Sequence, residues 1–153
     1  LTHGGFYKQF GSREDLVAEA VERALRDNEG FMATVTAGAA DARAALELFV
    51  DWYTSAEHRD TPSAGCAVVA FGADAARADE RVRASYAGQV ERYLAHLEAL
   101  LGDRARAATA LSTLVGAVLV ARGIGPGEVS DEILAAAREA VLAVHPVHRE
   151  ERP

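Results

Sequence analysis

The stretch from residue 80 to residue 101 constrains the fold most. Val82, Tyr86, Val90, Tyr93, Leu94, Leu97 and Leu101 recur in steps of three and four, while Arg81, Arg83, Glu91, Arg92 and Glu98 occupy the other side. That period predicts a helix of about six turns with one apolar face, opened by a break at Ala78-Asp79 and stopped by Gly102. A helix of this kind cannot bury its stripe alone. The next stretch supplies a partner: with Asp103 as its cap, it carries no charge from Ala107 to Val120, between Arg106 and Arg122. It falls short of the ~18–20 apolar residues of a bilayer span and includes Thr109, Ser112, Thr113 and Gly116, so it is expected to be a buried helix.

The remaining segments follow the same period. A helix from Ser12 is expected to run to about Thr36, with Gly30 bending it and Gly38 ending it. Asp41–Ala56 places Ala42, Ala45, Leu46, Phe49, Trp52, Tyr53 and Ala56 on one stripe. Residues 58–63, with Pro62, read as a loop. A mostly apolar helix is expected from Gly65 to about Arg77. The run Gly123-Ile124-Gly125-Pro126-Gly127 is a breaker. Ser130 is expected to start a last helix, with Ile133, Leu134, Ala137, Val141 and Val144 inward, ending at His145-Pro146. Alternating β-branched runs are absent, and only 4 prolines occur in 153 residues. Seven helical segments with short connections predict an all-α bundle.

The opening residues, Leu1 to Leu16, read as the tail of a short helix, a tight turn at Gly11-Ser12, and the start of a long helix. Phe6 and Phe10 lie one turn apart and can pack inward, leaving polar tips and bare glycine backbone displayed. Thr2, Gly4, Phe6, Tyr7, Phe10, Ser12, Glu14 and Leu16 fall in register with the end of the helix-turn-helix of the tetracycline-repressor (TetR) family, which this stretch resembles. Gln9 stands where that pattern has His, and Arg13 where it has Lys. The resemblance covers about a tenth of the chain. It implies that Thr2, Tyr7, Lys8 and Arg13 contact phosphates, and that His3 and the backbone at Gly5 face base edges. The chain begins inside this motif without Met, so the earlier helices of the head are expected in a longer parent protein, and this chain alone is not expected to bind DNA. The division expected is residues 1–28 for the end of the head and start of the connecting helix, 29–146 for a ligand-binding and dimerising body, and 147–153 for a mobile tail. A net charge of −7 argues mildly against nucleic acid, although His3, Lys8 and Arg13 cluster at the start.

In the body, Trp52, Tyr53, Tyr86 and Tyr93 each carry a polar tip that a dry core must satisfy. Converging on one cavity, with Val90 and Cys66, they would make a mainly apolar effector pocket. Phe49 and Phe71 read as ordinary core. Cys66, the single cysteine, follows Ser63-Ala64-Gly65 at a helix start that looks like that of one branch of the family. A helix N-terminus stabilises thiolate, yet a small buried hydrophobe is the favoured reading of this residue. Asp74 could accept a hydrogen bond from a ligand or pair with Arg77. His3, His58, His96, His145 and His148 show no metal-ligand spacing, and no phosphate loop, GxSxG or inward carboxylate pair occurs. No metal, cofactor or enzymatic activity is expected. Leu111, Leu114, Val115, Val118 and Leu119, with Leu134, Ala137 and Val141, are expected to form a two-fold interface.

The reading that follows is a DNA-binding transcriptional regulator. It is expected to be a cytoplasmic homodimeric repressor, released from operator DNA by a small, mainly apolar or aromatic effector, with no membrane partner. The alternatives are a helical small-molecule-binding protein or enzyme without DNA function, and a regulator sensing oxidants or electrophiles through Cys66.

Overall fold

The computed structural model describes residues 13–27 and 30–143, and these form an all-α fold. The helices are α1 (Arg13–Asp27), α2 (Phe31–Val35), α3 (Ala42–Tyr53), α4 (Ala56–Asp60), α5 (Ala67–Ala75), α6 (Glu80–Leu101), α7 (Arg104–Ile124) and α8 (Glu128–Ala143), with a 3-10 turn at Pro62–Ala64. Local chemistry sets most boundaries. Asp41, Ser55, Asp79 and Asp103 each cap a helix, their side-chain oxygens accepting from the backbone N–H three residues on at 2.8–3.1 Å. Gly102 ends α6 at φ 71°, a left-handed conformation that glycine adopts without Cβ strain.

Several expectations are corrected. The helix from Ser12 does not continue to Thr36: Gly30, at φ 79°, precedes a separate short α2, because a left-handed residue breaks the helical ladder rather than bending it. The helix expected to reach Ala56 ends at Tyr53, and the stretch read as a loop holds the last three residues of α4, for which Ser55 supplies the cap, and then the 3-10 turn opened by Pro62. The apolar helix starts after Cys66, its N-cap residue, and ends at Ala75. The last helix begins at Glu128, so Ser130 lies inside it, buried, where its hydroxyl accepts from Arg59 at 2.9 Å. Its expected end, and the tail from residue 144, lie outside the described residues.

The main core is built from the facing sides of α3, α6, α7 and α8, with α5 closing one edge. α7 is long and apolar enough to cross a membrane by length and composition, yet its buried side is covered by α5, α6 and α8. A satellite cluster of Ala18, Val21 and Leu25 from α1, Ala67 and Ala75 from α5, and Val82 from α6 seats α1 on the body. Glu22 of α1 and Arg81 of α6 add a bidentate pair beside it, with Nη2 to Oε2 at 2.6 Å. Tyr86 packs against both clusters. Arg43 Nη1 donates to the Leu142 carbonyl at 2.9 Å and Arg138 pairs with Asp51 at 2.7 Å, tying the two ends of α3 to the C-terminal half of α8.

Candidate functional site

Six residues nominated from sequence lie in or against the main core. Tyr53 at the end of α3, Cys66 before α5 and Tyr93 on α6 have no solvent contact, and Trp52, Tyr86 and Val90 pack half-buried around them. They are brought together because α3 and α6 face each other with their aromatic stripes inward. Phe49 is the hub, its ring 5.5 Å from Tyr53, 6.2 Å from Tyr93 and 5.7 Å from His96. A cavity of about 110 Å³ opens elsewhere, between α7 and α8, lined by Leu101, Arg106, Thr109, Ala110, Thr113, Ala140 and Val141.

Two of the polar tips are satisfied as a dry core demands. Tyr53 donates its hydroxyl proton to Cys66 Sγ at 3.2 Å, and Tyr86 donates to the Val68 carbonyl at 3.0 Å. Burial, with the Cys66 thiol adding, pushes the phenols of Tyr53 and Tyr93 well above their ordinary range, so both stay protonated. A Cβ on Gly72 would lie 3.0 Å from the Tyr86 hydroxyl, so the close approach of α5 to α6 depends on that glycine.

His58 is the member that the sequence reading missed. It sits on α4, stacked on Trp52 at 4.3 Å, and is buried. Its Nδ1–H donates to the Tyr53 carbonyl at 2.7 Å, and its Nε2 accepts from the Cys66 backbone N–H at 2.9 Å. Those partners fix the neutral tautomer. Burial pushes its pKa down to about 4, and the nearby Arg122 cation acts in the same direction. Arg122 of α7 donates to the His58 and Arg59 carbonyls at 2.7 and 3.2 Å. Arg59 is buried with its guanidinium on Asp60, Asp131 and Ser130. A Cβ on Gly65 would run into the Arg122 guanidinium and lie 2.9 Å from His58 Cδ2, so this corner closes only around a glycine.

Two further buried polar groups on α6 were not nominated. Gln89 of α6 is fully buried, and its Nε2 has no hydrogen-bond partner. His96 Nε2 is likewise buried without one. In sequence Gln89 looks like one more polar residue beside the stripe, and only the packing of α6 turns it inward. Asp74, by contrast, is exposed and pairs with Arg77 at 3.4 Å.

Of the DNA-contact set, Thr2, His3, Gly5, Tyr7 and Lys8 lie outside the described residues, and Arg13 is placed only as the first residue of α1. The expected dimer set is divided. Leu111, Leu114, Val118, Leu134, Ala137 and Val141 are buried in this chain's own core, because α7 and α8 pack tightly against each other and against α6. Those six are therefore spent within the protomer. Val115 is half-buried and Leu119 is 57% exposed. Val120, Ile124 and Val129 are also exposed at the same end of α7 and α8.

No family model matches the chain, and no curated protein matches it. Among solved structures the likeness is high. The fold is shared with E. coli NemR. Its crystal structure, in the reduced form, gives a TM-score of 0.70 at 19% identity, covering 94% of this chain and 80% of that chain. At that identity the match with NemR concerns the helical architecture of the body.

Proposed function

We propose that this chain is the effector-binding and dimerising body of a TetR-type transcriptional regulator, most often a repressor. The opening motif would complete its DNA-reading head, with Thr2, His3, Gly5, Tyr7, Lys8 and Arg13 toward the operator. The observation that carries the reading is the position of Tyr86. It packs against the aromatic cluster and also against the satellite cluster that seats α1, the helix leading back to the motif. A guest that rearranges Trp52, Tyr53, Cys66, Tyr86, Val90 and Tyr93 therefore shifts the seat of the head. An effector that prefers the body with the heads misplaced draws the population off the operator. In a two-fold dimer the heads would enter successive major grooves ~34–36 Å apart. The reading assigns the chain no catalytic role.

The exposed sides of α7 and α8 suit a second copy. Ala105, Ala108, Ser112, Leu119 and Val120 on α7, and Val129, Ala136 and Ala140 on α8, offer small and apolar side chains to solvent. A gel shift with the full-length protein on its own promoter tests the reading. Specific retardation that Tyr86→Ala weakens is expected, and no sequence-specific binding would overturn it in favour of a helical binding protein.

A second reading makes Cys66 an oxidant sensor. It is favoured by the Tyr53 hydroxyl on Sγ and by a fold neighbour described in its reduced form. It is opposed by complete burial and by the lack of a second cysteine. Oxidant-driven release that persists in Cys66→Ser removes it.

A further inference from the structure

We infer that the effector is an uncharged aromatic molecule bearing a hydrogen-bond acceptor, such as a ketone oxygen, and that Gln89 receives that acceptor. The inference rests on the effector site proposed above and supplies its chemistry.

The inward strip of α6 runs Val82, Gln89, Tyr93, Leu97, Leu101. An amide is the odd member of that strip. Its Oε1 accepts from Arg92 Nε at 2.9 Å, which identifies the other end as the NH₂ group, and that Nε2 has no partner. A buried donor left unpaired costs ~1–3 kcal/mol, which a leucine of similar size would avoid. Two helical turns on, ~10 Å along the axis, His96 leaves Nε2 buried and unpartnered beside Phe49. Tyr93 lies between them and meets both Phe49 and Tyr53. His96 therefore borders the aromatic cluster, and Gln89 lies one turn before Tyr93 on the same inward strip.

Four other polar groups there are committed. Tyr53 is on Cys66, Tyr86 is on the Val68 carbonyl, and both ring nitrogens of His58 are used. Arg122 is on two carbonyls. Among the described residues Glu22 is the one buried carboxylate, and it is paired with Arg81 at the seat of α1, so a cationic guest would find no free buried counter-charge. An anionic guest would have to strip Arg122 from its carbonyls. Among the fully buried side-chain polar atoms described, what remains on offer is the Gln89 NH₂ donor and an imidazole nitrogen that takes either role by tautomer. Apolar surroundings make such a contact selective, because a guest without the acceptor leaves the donor unpaired. Trp52, Tyr86, Val90 and Leu94 form the half-buried edge at which the cluster parts to admit the guest.

The test is calorimetric titration of this chain with 2-acetonaphthone, 2-ethylnaphthalene, 2-naphthoate and naphthylmethylammonium, alongside emission from Trp52, the single tryptophan. The ketone is expected to bind about tenfold more tightly than the hydrocarbon or either ion. Gln89→Leu, with Gln89→Met as a second variant, is expected to erase that preference while raising Tm by a few degrees. Equal binding of ketone and hydrocarbon, a preference that survives both variants, or binding by none of the four overturns the inference. Operator release by some other ligand, independent of Gln89, would sink this inference and leave the regulator reading standing. Ketone binding through Gln89 in a protein that never engages DNA would do the reverse.

Discussion

The His58 imidazole has both nitrogens committed, one to the end of α3 and one to the backbone N–H that opens α5. Protonation would turn the Cys66 N–H toward a second donor and set a cation beside Arg122. Its pKa is pushed down to about 4 by burial, against 6.5 for an unperturbed histidine. Between those values the unfolded chain binds the extra proton, so stability is full above pH 6.5 and falls as acid is added. From pH 7 to pH 5 the expected loss is about 2 kcal/mol. Urea melts at the two pH values check it: His58→Leu lowers stability at pH 7 and flattens the slope. Gly65→Ala is expected to cost ~1–3 kcal/mol, since the added methyl displaces Arg122 and His58 together. At this scale the polar-tip argument found Trp52, Tyr53, Tyr86 and Tyr93 in sequence. It missed His58 and Gln89, because whether a lone polar residue turns inward depends on the element packed over it.

Helix starts illustrate how far local chemistry reaches. Asp79 accepts from the Val82 N–H at 3.0 Å, and Asp79→Ala is expected to lower stability by ~1 kcal/mol in the same urea melts. Residues 80–101 form one helix with the predicted bounds, for their period, their leading Asp and their closing Gly all agree. Ser130 looked equally good as a cap, but its hydroxyl is taken by Arg59 from α4, a partner 71 residues away in sequence. The seat of α1 is a separate question of tertiary docking. The hydrogen bonds from Arg81 hold Glu22 ionised to lower pH than usual, so this pair is intact above the carboxylate range and is released as pH falls through it. Arg81→Ala is expected to speed amide exchange across α1 while exchange in α7 stays unchanged, as local opening of one helix requires. Equal acceleration in both would mean that α1 and the main core open together.

For the whole molecule, the decisive feature is which side of α7 remains free. Its apolar residues outnumber what one neighbour can cover, so some face outward even after α5, α6 and α8 have packed on it. Leu119→Arg is expected to convert a dimer into a monomer in sedimentation velocity, with little loss of protomer stability. Leu114→Ala, in the core, is expected to cost 2–5 kcal/mol instead. A chain that is monomeric before any substitution would remove the two-fold arrangement.

The all-α class and the bounds of the helix at residues 80–101 were legible in the sequence alone, because hydrophobic period, capping oxygens and glycine conformation act within a turn or two of chain. The sequence also named most of the aromatic cluster, because stripes on two helices must face each other. Which apolar side of α7 is core and which is surface, and that His58 and Gln89 belong inside, was decided only by the tertiary structure. The physical reason is that burial is a property of a residue's neighbours in space, and those neighbours lie tens of residues apart along the chain.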